Sequence, residues 1–298
     1  MQYVLTFTTD PAGPKIVADQ IIRVAETLGQ QGDQVGAIDW LSPGVACDLA
    51  CGGIDPDKAA DLVREALGAA PIDVNAIPTK GRRKRLLIAD MDSTIITGES
   101  LDELADFVGL RAPIAAITAR AMRGELDFED ALRERVGMLK GLGQDKLDAL
   151  LDLLELTSGA ATLVATMKAN GAYCALVSGG FDFATGHIRA LIGFDLDRSN
   201  RLDLKDGALT GNVIPPILDK QSKLDTLAEL CTQLGIQMQD AATIGDGAND
   251  IPMLEAAGLG CAFHAKPAVT SAAQYRLDHS DLTGLLFLQG YRAEQLVG

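Results

Sequence analysis

The chain has 298 residues, 47% hydrophobic and 22% charged, with a formal net charge of −15, which is enough material for two folded units with full cores. An acidic balance argues against a nucleic-acid partner, whose phosphates call for clustered Lys and Arg, and any anionic substrate must be drawn in by a locally positive site. No run approaches the ~18 apolar residues of a membrane span, so no membrane partner is expected.

Residues 3–8 read as a strand, and Asp10-Pro11-Ala12-Gly13 as a turn. From Ile16 to Leu28, Val17, Ile21, Val24 and Leu28 recur at helical spacing. Two strands follow. The second alternates, with Val45, Cys47, Leu49 and Cys51 on one face and Ala46, Asp48 and Ala50 on the other. Asp55 can cap a helix that runs to about Ala69, and Ile72, Val74 and Ile77 suggest a last strand. The order βαββαβ is the ferredoxin-like pattern. Residues 79–85, after Pro78, read as a linker whose basic run, Lys80-Gly81-Arg82-Arg83-Lys84-Arg85, is expected to be solvated rather than to bind nucleic acid.

Leu86-Leu87-Ile88-Ala89 is a short apolar run followed by Asp90-Met91-Asp92-Ser93-Thr94. Such a run fits a buried parallel strand, and ligands bind at the carboxyl ends of strands in open α/β sheets. Acids at i and i+2 point the same way. Asp90 is the candidate nucleophile, since carboxylates form covalent aspartyl-phosphate intermediates. Asp92 is the candidate proton carrier for the leaving alkoxide and then for the attacking water.

Residues 99–156 carry helical periods punctuated by Gly109, Gly124, Gly141 and Gly143, which predicts three or four helices placed as a lid over the site. Strand and helix signals then alternate, predicting a mostly parallel sheet with helices on both faces. Ala172–Val177 is a strand ending in Ser178-Gly179-Gly180, a phosphate cradle of hydroxyl and backbone N–H groups. Asp206-Gly207 marks a hairpin. On the helix from Asp219, Lys223 supplies positive charge for a phosphoryl group, with Lys220 as competitor. Residues 241–244 form a strand ending in Gly245-Asp246-Gly247-Ala248-Asn249-Asp250. Asp246 with Asp90 suits Mg²⁺, which takes one or two carboxylates plus waters and phosphate oxygens. Asp250 and Asn249 lie close enough to hold the metal shell or the lysine.

The five cysteines are odd in number and include no C-x-x-C pair, so they are read as reduced thiols of a cytoplasmic protein. The start Met1-Gln2-Tyr3-Val4-Leu5 has no signal-peptide pattern. His187, His264 and His279 are scattered and are given no catalytic role.

These four polar clusters, in this order, resemble the haloacid-dehalogenase-like phosphatases over roughly residues 85–290. The resemblance implies a Rossmann-like parallel-sheet core with a helical cap, and Mg²⁺ bound by Asp90, the backbone carbonyl of Asp92, and Asp246. It narrows to the phosphoserine phosphatases of that family. Glu99 then meets the substrate ammonium, Met122, Phe128 and Arg135 contact substrate, and Arg135 pairs the serine carboxylate. The implied reaction is hydrolysis of O-phospho-L-serine to L-serine and phosphate, the last step of serine biosynthesis. Residues 1–78 resemble an ACT-type regulatory domain, with Gly13 as the local cue, ahead of a phosphatase domain at 86–298. A homodimer is compatible with this reading. A related phosphatase or a phosphotransferase, for example to homoserine, would share the same machinery; a non-catalytic amino-acid sensor would not need it.

Overall fold

The computed structural model describes residues 2–122 and 125–298. Two sheets organise it. The first is antiparallel, in the order β2-β3-β1-β4, from β1 (Tyr3–Thr8), β2 (Val35–Ser42), β3 (Ala46–Cys51) and β4 (Asp73–Pro78). Helices α1 (Ala18–Gln30) and α2 (Pro56–Leu67) cover one face, giving the ferredoxin-like arrangement. Asp55 caps α2, its side chain accepting from the Lys58 N–H at 3.2 Å. Cys47, Leu49 and Cys51 pack with Ile21, Leu28 and Val63 beneath these helices. All five cysteines are free and buried.

The second sheet begins with β5 (Leu86–Ala89), whose four residues are fully buried. Four helices follow it: α3 (Ser100–Phe107), α4 (Arg111–Met122), α5 (Phe128–Gly137) and α6 (Gln144–Leu151). Then come α7 (Ala160–Ala169), β6 (Tyr173–Phe181), α8 (Asp182–Ile192), β7 (Leu196–Lys205), β8 (Ala208–Ile214), α9 (Lys220–Leu234), β9 (Ala241–Gly245), α10 (Ile251–Ala256), β10 (Leu259–Phe263), α11 (Pro267–Ala272), β11 (Tyr275–Leu277) and α12 (Gly284–Leu288). The sheet order is β11-β10-β9-β5-β6-β7-β8. Every pairing is parallel except β7 with β8.

Burial on both faces explains why β5 reads as a continuous apolar run. Leu87 and Ala89 pack with α7, α8 and α12 on one side. Leu86 and Ile88 pack with Leu227, Leu230 and Met253 of α9 and α10 on the other. The β7–β8 hairpin turns at Asp206 (φ 53°) and Gly207 (φ 79°), and it carries the helical cap. Leu202, Leu209 and Val213 share a cluster with Leu132, Val136 and Leu147 of the cap. The Gly141 N–H donates to Leu209 O and the Leu209 N–H to Leu142 O, both at 2.8 Å.

The connector between the sheets departs from expectation. It is solvated only in part: Thr79, Lys80, Gly81, Arg83 and Arg85 are exposed, but the Arg82 guanidinium meets Asp48 of β3 at 2.6 Å and donates to the Phe287 and Leu288 carbonyls at 3.1 and 3.2 Å. The bare face of the antiparallel sheet is seated on the second sheet, with Val4 and Ile77 in the larger sheet's core, and Asp48 needed a partner there. Asn75 of β4 makes two bonds to the Arg276 backbone of β11, at 2.8 and 2.9 Å. Among the described residues, no helix is long and apolar enough to cross a membrane.

Candidate active site

Adjacent strands β6, β5 and β9 end side by side, and their carboxyl ends carry three of the four polar clusters. Asp90 leaves β5 still tied to it, its N–H donating to Ile244 O of β9 at 3.0 Å. The residue is 5% exposed, and its Oδ1 accepts from the Met91 N–H at 2.8 Å.

The chain then turns tightly. Ser93 adopts φ 53°, a left-handed conformation that costs a non-glycine residue about 1 kcal/mol or more. Hydrogen bonds hold it there: its N–H donates to Gly98 O at 3.0 Å and its hydroxyl to Glu99 Oε1 at 2.8 Å. The turn aims Asp92 back at the strand ends. Asp92 Oδ1 accepts from the Ser100 N–H at 2.7 Å, and Oδ2 accepts from the Ser178 hydroxyl at 3.2 Å. Burial, reinforced by the charges of Asp90 and Glu99, pushes Asp92 up to about 7 despite the Ser100 bond. A carboxyl so tuned can give and take a proton near neutrality.

The expected end of the following strand is corrected. β6 continues through Ser178-Gly179-Gly180 to Phe181. Ser178 is 2% exposed and accepts from the Gly180 N–H at 2.8 Å. A Cβ at Gly180 would sit 2.9 Å from Asp92 Oδ2 and 3.1 Å from Ser178 Oγ, so any larger residue must displace the Asp92 carboxyl. Asn200 of β7 anchors this segment: its side-chain N–H donates to Gly179 O at 2.8 Å, and its Oδ1 accepts from the Leu218 N–H at 2.8 Å.

Asp219 caps α9, its Oδ1 accepting from the Ser222 N–H at 3.0 Å, which turns Lys223 inward and leaves Lys220 exposed. Lys223 is 2% exposed. Its Nζ lies 2.7 Å from Asp90 Oδ1 and 2.5 Å from Asp250 Oδ1. Burial works against its charge, but Asp90 and Asp250 outweigh it and hold its pKa above the ordinary lysine value. Asp250, fully buried, also accepts from the Gly247 N–H at 3.0 Å. A Cβ at Gly245 would lie 2.4 Å from its carboxyl, so glycine there lets Asp250 fold back over the strand end.

Carboxylate oxygens of Asp90, Asp246 and Asp250 lie within 4.8 Å of one another. Burial and the Asp90 charge push Asp246 up to about 6. Oxygen donors with uncompensated negative charge fit a hard divalent cation such as Mg²⁺. Lys223 and the Gly247 N–H take both oxygens of Asp250, whereas Lys223 and the Met91 N–H both use Oδ1 of Asp90, which leaves Asp90 Oδ2 and Asp246 to hold it.

Asp90, Asp246 and Ser178 share a cavity of about 280 Å³ with Asp92, Glu99, Phe128, Arg135, Gly179, Gly180 and Asn249, while Lys223 and Asp250 lie behind its wall. Arg135 is half-buried on α5, bonded through Nε to Ala131 O at 3.2 Å, and makes no ion pair among the described residues. Phe128 stands 44% exposed at the cavity edge. Met122 ends α4, but its side chain lies outside the described residues. The cavity also takes in Leu101, Leu132 and Lys266, which the sequence reading missed. Lys266 follows β10, and the strand-end rule could have singled it out; its charge lowers the pKa of Asp246.

The haloacid dehalogenase-like hydrolase profile matches residues 87–255. The phosphoserine phosphatase SerB2 of Mycobacterium tuberculosis is 44% identical over 209 residues, covering 70% of this chain and 51% of that protein; the chain thus spans about half of that relative's length. A HAD family hydrolase from Salmonella enterica serovar Typhi superposes with TM-score 0.85 at 31% identity, over 96% of this chain and 98% of that one. A solved phospho-aspartyl intermediate analogue of phosphoserine phosphatase matches at 38% identity and TM-score 0.64, over 69% and 98%. The chain belongs to the haloacid dehalogenase-like hydrolase family, in the branch that holds the phosphoserine phosphatases.

Proposed function

We propose that the protein hydrolyses O-phospho-L-serine to L-serine and phosphate, with Asp90 as nucleophile. One observation carries this reading: a single cavity joins a phosphate end, built from Asp90, Ser178 and Asp246, to an end bearing one acid and one base, Glu99 and Arg135. Phosphoserine has a matching anionic phosphate, ammonium and carboxylate.

In the first step a carboxylate oxygen of Asp90 bonds to phosphorus as the bond from phosphorus to the serine oxygen breaks. The proton on Asp92 goes to that oxygen. In the second step water attacks phosphorus, the acyl phosphate bond to Asp90 breaks, and Asp92 takes the water proton. A phospho-aspartyl analogue in the matched solved structure supports this order. Lys223 balances phosphoryl charge, and Asp250 positions it. Ser178 and the backbone N–H groups around it orient the phosphate oxygens. Mg²⁺, held by Asp90, Asp246 and the Asp92 carbonyl, would neutralise charge on the phosphoryl group. Residues 1–78 are read as an ACT-like accessory unit, 79–85 as its connector and 86–298 as the phosphatase unit.

The test is phosphate release from O-phosphoserine with Mg²⁺. Expected are turnover, its loss with a chelator, and its loss in Asp90→Asn with the fold retained. Turnover of generic phosphate esters with none of phosphoserine would keep the hydrolase and discard the substrate.

A further inference from the structure

The basic connector has no part in this chemistry. At the amino-terminal ends of the larger sheet's strands, away from the active site, it lines a second cavity of about 270 Å³. Pro78 of β4, Lys80 and Lys84 of the connector, Asp240 ahead of β9, and Tyr275 of β11 form its walls. Both sheets thus contribute.

The wall has hydrogen-bond donors to spare. Lys84 is 9% exposed, and its ammonium makes one hydrogen bond, to Gln239 O at 2.7 Å, although it carries three donors. Burial lowers its pKa, with Asp240 countering. Tyr275 is 4% exposed, and its hydroxyl has no hydrogen-bond partner among the described residues. Lys80 is exposed and unpaired there. Arg82, by contrast, is occupied by Asp48. Asp240, the carboxylate among the lining residues, is drawn into its own turn and accepts from the Gln237 N–H at 3.1 Å, while the charge of Asp57 of α2 acts on the Tyr275 hydroxyl from outside the lining. Lys84 keeps two further donors beyond its bond to Gln239 O, and the Tyr275 hydroxyl keeps one, so both can serve an acceptor that enters the cavity. In a chain of net charge −15, such a surplus of donors in one place stands out.

We propose that this cavity binds a small anion through phosphate or carboxylate oxygens, held by Lys80, Lys84 and the Tyr275 hydroxyl, and that the anion cross-links the two sheets. Charge-assisted bonds to both lysines supply the affinity, and a ligand that binds only the folded chain stabilises it.

The experiment is thermal unfolding of the full chain at constant ionic strength in inorganic phosphate, in malonate and in sodium chloride. Phosphate also suits the active site, so each shift is compared with that of a Lys80→Met/Lys84→Met double variant, which keeps the active-site contribution. Wild type is expected to gain roughly 3 °C more than the double variant at saturating anion, with Tyr275→Phe in between. A surplus with phosphate, malonate or both supports the site and names its chemistry. Equal shifts in wild type and double variant, or a chloride shift of the same size, would overturn it. The measurement reads binding alone, so it stands whatever the enzyme's substrate.

Discussion

A lysine in the first turn of a helix is ordinarily solvated, yet Lys223 is almost fully buried, because Asp90 and Asp250 both reach its ammonium. Two carboxylates around one buried cation leave negative charge over, and Asp246 beside them adds more. The rise of Asp246 to about 6 follows from that crowding and from burial. Its folded pKa lies above the ordinary Asp value of ~3.9. Between these values the metal-free folded chain holds the extra proton, so its stability falls as pH rises through that window. Mg²⁺ competes with that proton. Stabilisation by Mg²⁺, read as a thermal shift, should therefore be large at pH 8 and shrink as pH falls through about 6. A response flat from pH 8 to pH 5 would remove Asp246 as a ligand. Arg135 offers a test of specificity. Its guanidinium makes no ion pair among the described residues and suits a carboxylate, so Arg135→Ala should lower kcat/KM for phosphoserine by roughly 100-fold, while an aryl phosphate lacking a carboxylate loses little. Equal losses would end its proposed role.

At the scale of elements, the site is an edge shared by strand ends. β6 runs four residues past the apolar stretch that marks it in sequence and carries Gly179 and Gly180 into the cavity wall. Gly180 is where backbone and Asp92 come closest. Gly180→Ala should cut turnover by at least ~100-fold, because a displaced Asp92 misplaces the proton, while thermal stability changes far less. An active Gly180→Ala enzyme would mean that Asp92 has room to move. The cap was legible as helices, but not its seat. That seat is the β7–β8 hairpin, whose apolar face meets Leu132 and Val136. The Asp206-Gly207 turn announces a hairpin in the sequence and says nothing of what lies on it.

The two sheets meet across a seam of apolar contacts from Val4 and Ile77 and of polar ties, several of them made by Arg82. Its partner Asp48 is 6% exposed, so removing the cation leaves a buried charge uncompensated. Arg82→Met should cost about 3 kcal/mol of stability. The adjacent Arg83, exposed and stacked 3.5 Å from the Tyr291 ring centroid, should cost under ~1 kcal/mol when replaced by Met. Denaturant unfolding of both variants gives the comparison; equal small losses would show that the seam does not depend on this pair.

The amino-acid sequence by itself determined the elements and the chemical cast. Periodicity marks strands and helices, because burial on one or both faces writes itself into residue spacing, and Asp90, Asp92, Ser178, Lys223 and Asp246 sit where local pattern ends a strand or opens a helix. What local pattern cannot carry is which distant surfaces touch. The burial of Lys223, the raised Asp92 and Asp246, the presence of Lys266 in the cavity and the ties that Arg82 of the basic connector makes all follow from contacts between residues far apart in the chain. Charge, dielectric and packing act through space, so the tertiary structure alone decided them.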